Sequence, residues 1–99
     1  MNDSTDKITI IKGFISHTEK LLENINADCT GFYVNEPDFR SFKKEVNGFF
    51  NKYFPAGNEL GVEFNEMVTE GKKHKMIYAK VLLQELLTQL ENENNGLRV

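Results

Sequence analysis

A stripe of large apolar side chains between Pro37 and Phe54 constrains this sequence more than any other feature. Its members fall on one face at helical spacing, and five of the six are aromatic: Phe39, Phe42, Val46, Phe49, Phe50 and Tyr53. A face this apolar must be buried, because leaving it in water is costly. The stripe predicts a helix that is buried on one side, either inside the monomer or against a partner, and that ends before Pro55, whose ring cannot continue a helix.

The length of 99 residues suits a single domain with one modest core, which needs neither a metal nor a disulfide to fold. The apolar fraction of 39% and the charged fraction of 27% are typical of globular proteins. We expect one helical domain over residues 1–99, with a core at residues 7–92 and frayed termini.

The single cysteine, Cys29, has no partner for an internal disulfide. The sequence contains no signal segment and no apolar run long enough to span a bilayer, so we expect a cytoplasmic protein without membrane contact. The net charge of −3 gives no bulk attraction for nucleic acid.

Three further segments have the spacing of helices, one before the aromatic stripe and two after it. N-cap candidates between Asn2 and Asp6 precede an apolar stripe made of Ile8, Ile11, Ile15, Thr18, Leu22 and Ile25. The β-branched residues at its start could equally begin a strand. After a turn-like linker at residues 26–36, the longest in the chain, Pro37 suits the first turn of the second helix.

A third, shorter helix is predicted to bury Leu60, Phe64, Met67 and Val68 and to stop at Gly71. The fourth segment, about His74 to Glu91, has apolar residues almost all round, which is typical of a central helix or one shared with a partner. No two-residue hairpin signal is present. The sequence therefore predicts an all-α, compact four-helix domain with short loops and a longer linker between the first two helices.

The reactive residues do not form a catalytic or metal-binding pattern. His17 and His74 are the only histidines, and neither lies at a spacing from Cys29 that suggests a nucleophile and its base. Motifs of the CxxC, HxxxH and HExxH types are absent from the sequence. We therefore expect no enzyme activity, no metal site and no cofactor.

Four glutamates follow one face of the third predicted helix at intervals of four, three and four: Glu59, Glu63, Glu66 and Glu70. Such a face either stays in water, meets a basic protein surface or binds a cation. A cation is the least favoured, since divalent sites usually recruit ligands from more than one element.

A basic cluster of Lys72, Lys73 and Lys75 with His74 follows Gly71 and is a candidate anion contact. Its cations oppose the dipole at the start of the fourth helix, which favours either a bridging anion or simple solvation. Phosphate-loop and GxGxxG motifs are absent, and no basic recognition helix follows a tight turn, so the sequence disfavours nucleic-acid binding; a small-molecule ligand stays open.

One resemblance covers roughly residues 10–90. It consists of Phe39-x-x-Phe42 with Glu45, then Phe49-Phe50-x-x-Tyr53-Phe54, a glycine turn at Gly57, and Phe64 in the following helix. This pattern resembles the small helical N-terminal domain that precedes TIR-like or other nucleotide-sensing and effector domains in bacterial defence proteins. The resemblance implies a non-catalytic module for assembly or partner contact, with any effector activity in another domain.

The sequence thus predicts a helical protein-interaction or oligomerisation module that contacts a protein partner or a second copy of itself. The candidate contact residues are Phe39, Phe42, Phe49, Leu82 and Leu87, together with the four glutamates. One alternative is a small inhibitor or regulator that binds a basic protein surface through the glutamates. Another is a ligand or nucleotide module that uses the three lysines.

Overall fold

The described part of the chain folds into four helices and one small hairpin. The computed structural model describes the backbone of residues 3–28 and 31–96, and the side chains of residues 6–27 and 31–93. Its elements are α1 (Asp3–Glu23), β1 (Asn26–Asp28), β2 (Gly31–Tyr33), α2 (Glu36–Tyr53), α3 (Glu59–Met67) and α4 (Lys73–Gly96). The predicted four-helix domain is confirmed. Cys29 lies outside the described residues.

The second helix matches the aromatic stripe closely. Asn35 caps it, its side-chain oxygen accepting a hydrogen bond from the backbone N–H of Asp38 at 3.2 Å, and Pro37 follows within the first turn. The helix ends just before Pro55, as predicted. Its stripe is buried at Phe39, Phe42, Val46, Phe49 and Phe50.

The aromatic side chains of this stripe meet rings from α1 and α3. Phe42, which is fully buried, makes edge-to-face contacts with Phe14, His17 and Phe64 at centroid distances of 6.3, 5.3 and 6.1 Å. This geometry is the one that aromatic quadrupoles favour. The stripe therefore closes inside the monomer and joins three helices.

The first helix begins at Asp3, so its β-branched opening is helical and not a strand. α1 packs along α4, and the pair is tied at the surface by an ion pair between Glu19 and Lys80 at 3.3 Å. Thr18 is fully buried in this helix, and its hydroxyl donates a hydrogen bond to the carbonyl of Ile15 at 2.6 Å. The donation satisfies the polar group that Thr18 brings into the apolar stripe.

The third helix is shorter than predicted. The Asn58 side chain caps it by accepting hydrogen bonds from the N–H groups of Leu60 and Gly61. It ends at Met67, four residues before Gly71, because Val68 leaves helical geometry at φ −93° and ψ 73° to bury its side chain completely. Met67, which we expected in the core, is 45% exposed.

The fourth helix starts one residue earlier and ends later than the predicted segment. Its inner stripe is buried as predicted: Met76, Ala79, Leu83, Leu86 and Leu90. The helix is not buried on all sides, however, because its apolar residues Ile77 and Val81 are about half exposed. None of the described helices has the length and apolar character needed to cross a membrane.

The linker between α1 and α2 contains the hairpin, which the sequence did not predict. Strands β1 and β2 pair antiparallel, with Asn26 opposite Tyr33, and Gly31 has the positive φ of 124° that glycine tolerates. Each strand has only three residues, too few for an alternating pattern to be visible. Tertiary contacts hold the hairpin in place: Tyr33 forms a bridge with Lys72, and the N–H of Val34 donates to the carbonyl of Gly71 at 2.7 Å.

Candidate functional site

The apolar residues predicted as contacts belong mainly to the core. Phe39, Phe42, Phe49 and Leu82 are at most 5% exposed, and Leu87 is partly buried against the same cluster. Four helices of this length need these faces to enclose one core, so the first four are not available to a partner in the folded monomer. The structure therefore moves the search for a site to the surface.

The four glutamates are all exposed but do not share one helix. Glu59, Glu63 and Glu66 lie on α3, whereas Glu70 lies beyond its end. Glu63 accepts a hydrogen bond from the half-buried Tyr78 of α4; this bond, with partial burial and the negative charges of Glu63 and Glu85, raises the pKa of the Tyr78 hydroxyl. Glu63 thus has a contact within the monomer.

The basic cluster is divided by the structure. Lys72 is half-buried next to strand β2, and the Nζ of Lys73 lies 5.5 Å from the centroid of the Phe32 ring. Both line a cavity of about 480 Å³ with His74 and Ile77, but Lys75 does not. Of the three lysines predicted as an anion contact, two therefore border a common cavity.

A large open groove of about 1010 Å³ lies on the surface of the described part of the chain. One wall is α2, and the other is formed by the end of the hairpin and the connection from α3 to α4. The lining residues are Tyr33, Val34, Glu36, Phe39, Arg40, Lys43, Lys44, Asn47, Gly48, Asn51, Thr69, Glu70, Gly71 and Lys72. We call this feature the basic groove.

Charge is distributed unevenly within the basic groove. The guanidinium of Arg40 is bound to the carboxylate of Glu36, one turn earlier on α2, at 2.6 Å. Lys43, Lys44 and Lys72 form no ion pair in the described part of the chain. The groove therefore presents three uncompensated ammonium groups on a chain whose net charge is negative.

The α2 wall of the groove has open space at a glycine. A Cβ atom added to Gly48 would meet no heavy atom within 4 Å, even though the residue lies in the interior of α2. Asn47 and Asn51 flank it on the same wall. A larger side chain at this position would occupy part of the groove, and its Cβ would meet no core atom.

The sequence did carry a signal for this wall. Arg40, Lys43, Lys44, Asn47 and Asn51 recur at helical spacing on the polar side of α2, opposite the aromatic stripe. Periodicity alone places them on a solvated face. That face becomes concave because the hairpin and Lys72 approach it. Their approach depends on contacts between residues distant in sequence.

A second surface feature is a short apolar strip. Phe32 of the hairpin and Ile77 of α4 line the same small cavity, and Val81 follows Ile77 by one helical turn. Their exposed fractions are 58%, 44% and 50%. We call these three residues the apolar strip.

The reactive residues have structural surroundings. His17 packs its ring against Phe42, as described above, and His74 is an exposed residue at the start of α4. The described residues contain no group of three His, Cys, Asp or Glu side chains that could hold a metal ion.

The fold and the groove define a class: a small four-helix domain with a clasped hairpin and a basic groove. No protein-family model, curated protein or solved structure matches the chain.

Proposed function

We propose that this protein is a non-catalytic protein-interaction module that holds a segment of a partner in the basic groove. The observation that carries the proposal is the groove itself, which combines a large open volume with cationic and amide side chains on a rigid helix. Concave sites of this kind with a few placed polar groups are the usual location of binding.

The chemical character of the lining supports binding over catalysis. Nucleophilic and acid–base mechanisms need a nucleophile beside a base that titrates near neutral pH, and histidine is the usual base. The described lining of the basic groove has neither histidine nor cysteine. Its lysines, arginine and asparagines are donors that recognise a ligand and hold it.

Other aspects of the function stay predictions. The place in a bacterial defence or regulatory system rests on the resemblance alone, and the cytoplasmic location is proposed from cysteine usage. Both agree with a module whose work is contact with another protein.

The test is a selection of peptides from a random-sequence display library on the full chain. We expect enriched peptides to bind the protein and to lose binding to Gly48→Trp, whose side chain obstructs the α2 wall of the groove at a position where the fold leaves space. Gly48→Ala is the matched control and should keep binding. If all selected peptides bind Gly48→Trp as tightly as they bind the unaltered chain, the groove is refuted as the contact site.

A second candidate function is self-association through the apolar strip. Contiguous exposed apolar side chains are favoured sites of contact, and two of the three residues of the strip, Ile77 and Val81, lie on α4, which is long enough to pair with its copy. The test is the solution mass across a concentration series, measured by light scattering after size exclusion. A dimer that Val81→Asp converts to a monomer would support this candidate, and a monomer at every concentration would refute it.

A further inference from the structure

We infer that the partner segment is acidic and extended, with its carboxylates against the groove lysines and its backbone running along α2. The inference rests on the proposed function, since it names the chemistry of the segment that the basic groove takes. Three properties of the groove lead to it: its charge, its length and the pattern of polar and apolar groups along it.

The charge of the lining is opposite in sign to that of the whole chain. Four basic side chains and two carboxylates line the groove, so its net charge is +2, from four minus two, whereas the protein carries −3. Glu36 is already bound to Arg40, which leaves Glu70 as the one carboxylate of the lining that faces three lysines. A concave surface of this kind attracts negative groups and repels positive ones.

The length of the groove matches a peptide better than a small anion. Its α2 wall runs from Glu36 to Asn51, which at about 1.5 Å per residue is roughly 22 Å. An extended chain rises about 3.3 Å per residue, so roughly seven residues would lie along this wall. A single phosphate or carboxylate would leave most of the groove unfilled.

The groups along the wall suit a peptide backbone. Asn47 and Asn51 lie one helical turn apart, and each amide both donates and accepts hydrogen bonds, as a peptide unit requires. The Nδ2 group of Asn47 donates to Asn65 only at 3.5 Å, a weak bond that a ligand could replace. The half-buried ring of Tyr33 in the lining supplies an apolar surface, which suits an apolar side chain between the carboxylates.

A nucleic acid fits these observations less well. Its binding depends on many phosphate contacts and on exposed aromatic rings for stacking. The groove offers three uncompensated lysines and one half-buried ring, that of Tyr33. The net negative charge of the chain would also oppose a long polyanion.

The experiment measures fluorescence anisotropy of two labelled peptides of seven residues, one alternating Glu with Leu and the other alternating Lys with Leu. We expect the Glu peptide to bind the full chain at least about tenfold more tightly, and its affinity to fall as salt rises from about 50 to about 200 mM, since screening weakens exposed charge pairs.

Two double variants identify the surface. Lys43→Glu with Lys44→Glu should weaken binding of the Glu peptide by about tenfold or more. Lys12→Glu with Lys20→Glu makes the same change in net charge on exposed positions of α1 outside the groove, and should change affinity by less than about twofold. Thermal unfolding of each variant verifies that it is folded.

Each contrary result has a distinct meaning. Equal binding of the two peptides, or equal losses in the two double variants, would overturn the acidic-segment inference. An oligothymidine that binds more tightly than the Glu peptide and depends on Lys43 and Lys44 would overturn it in favour of nucleic acid. If Gly48→Trp excludes library peptides that bind the unaltered chain, but the Glu peptide does not bind, the inference fails and the proposed function stands. If no peptide of any kind binds in a way that depends on the groove, both the inference and the proposed function are refuted.

Discussion

The same substitution, glycine to alanine, should have opposite effects on stability at two positions of this fold. Gly48 lies within α2 with open space around it, and Gly61 lies in the first turn of α3 against the ring of Phe50. A new Cβ at Gly61 would lie 2.7 Å from Cδ1 and 2.9 Å from Cγ of that ring. These distances are well inside ordinary van der Waals contact, so ring or helix must move.

The ring has little freedom to move. Phe50 is 8% exposed, and its centroid lies 5.5 Å from that of Phe49 and 5.8 Å from that of Phe54. Overpacking a core in this way costs about 1–3 kcal/mol, whereas removing a helical glycine gains about 0.5–1 kcal/mol. These ranges leave a net loss of up to about 2.5 kcal/mol, and at mid-range Gly61→Ala should lose about 1 kcal/mol of unfolding free energy.

Gly48→Ala has only the gain, so it should stabilise the protein by about 0.5–1 kcal/mol. For a domain of this size 1 kcal/mol corresponds to about 4–8 °C in Tm, so the two variants should melt on opposite sides of the unaltered chain. Circular dichroism melts and urea denaturation of the full chain measure both shifts.

A variant of Phe50 tests whether its ring causes the loss of stability in Gly61→Ala. In Phe50→Ala the side chain ends at Cβ, which removes the Cγ and Cδ1 atoms of the collision, so adding Gly61→Ala should cost less than it does in the unaltered chain, a coupling that a double-mutant cycle measures. Stabilisation by Gly61→Ala, or the same loss in both backgrounds, would refute the argument that Phe50 requires a glycine at this position.

Three further predictions concern the core, a cap and pH. Phe42→Ala should lose about 3–5 kcal/mol in urea denaturation, because its side chain is fully buried; a loss below about 1 kcal/mol would contradict this. Asn58→Ala should lose about 1 kcal/mol, since two N–H groups lose their acceptor, whereas Asn58→Asp keeps the cap. The raised pKa of Tyr78 means that its bond to Glu63 stabilises the fold fully below the ordinary value of 10.0 and is lost as pH rises through the folded-state pKa; Tyr78→Phe should flatten that alkaline part of the stability profile, and an unchanged profile would contradict it.

The helices were predictable where local chemistry decides them. The aromatic stripe, Pro37 and Pro55 located α2 because spacing and backbone restriction act within a few residues. The end of α3 was not predictable, because the glutamate spacing continues to Glu70 while burial of Val68 breaks the helix earlier. The spacing of apolar residues shows which face of a helix is apolar, but it does not show where tertiary packing ends the helix.

The candidate site was harder to predict than the fold. Sequence showed which residues were apolar, but the number of helices that must share one core decided that Phe39, Phe42, Phe49 and Leu82 are buried. The basic groove brings Lys72 to α2 across 28 positions from Lys44, the difference between their numbers. Such a meeting depends on the hairpin, whose three-residue strands leave no periodic signal.

The hydrogen bond from Val34 to Gly71 has a consequence for motion. It fastens two connecting segments 37 positions apart, 71 minus 34, so α2 and α3 lie inside a loop that this contact closes. Proteins open in local cooperative units, and the weakest closure defines such a unit. Release of this contact would free the wall formed by the end of the hairpin and the α3 to α4 connection, while the α1 and α4 pair stays packed. The hydrogen-exchange rate of the Val34 amide therefore measures how often the groove widens.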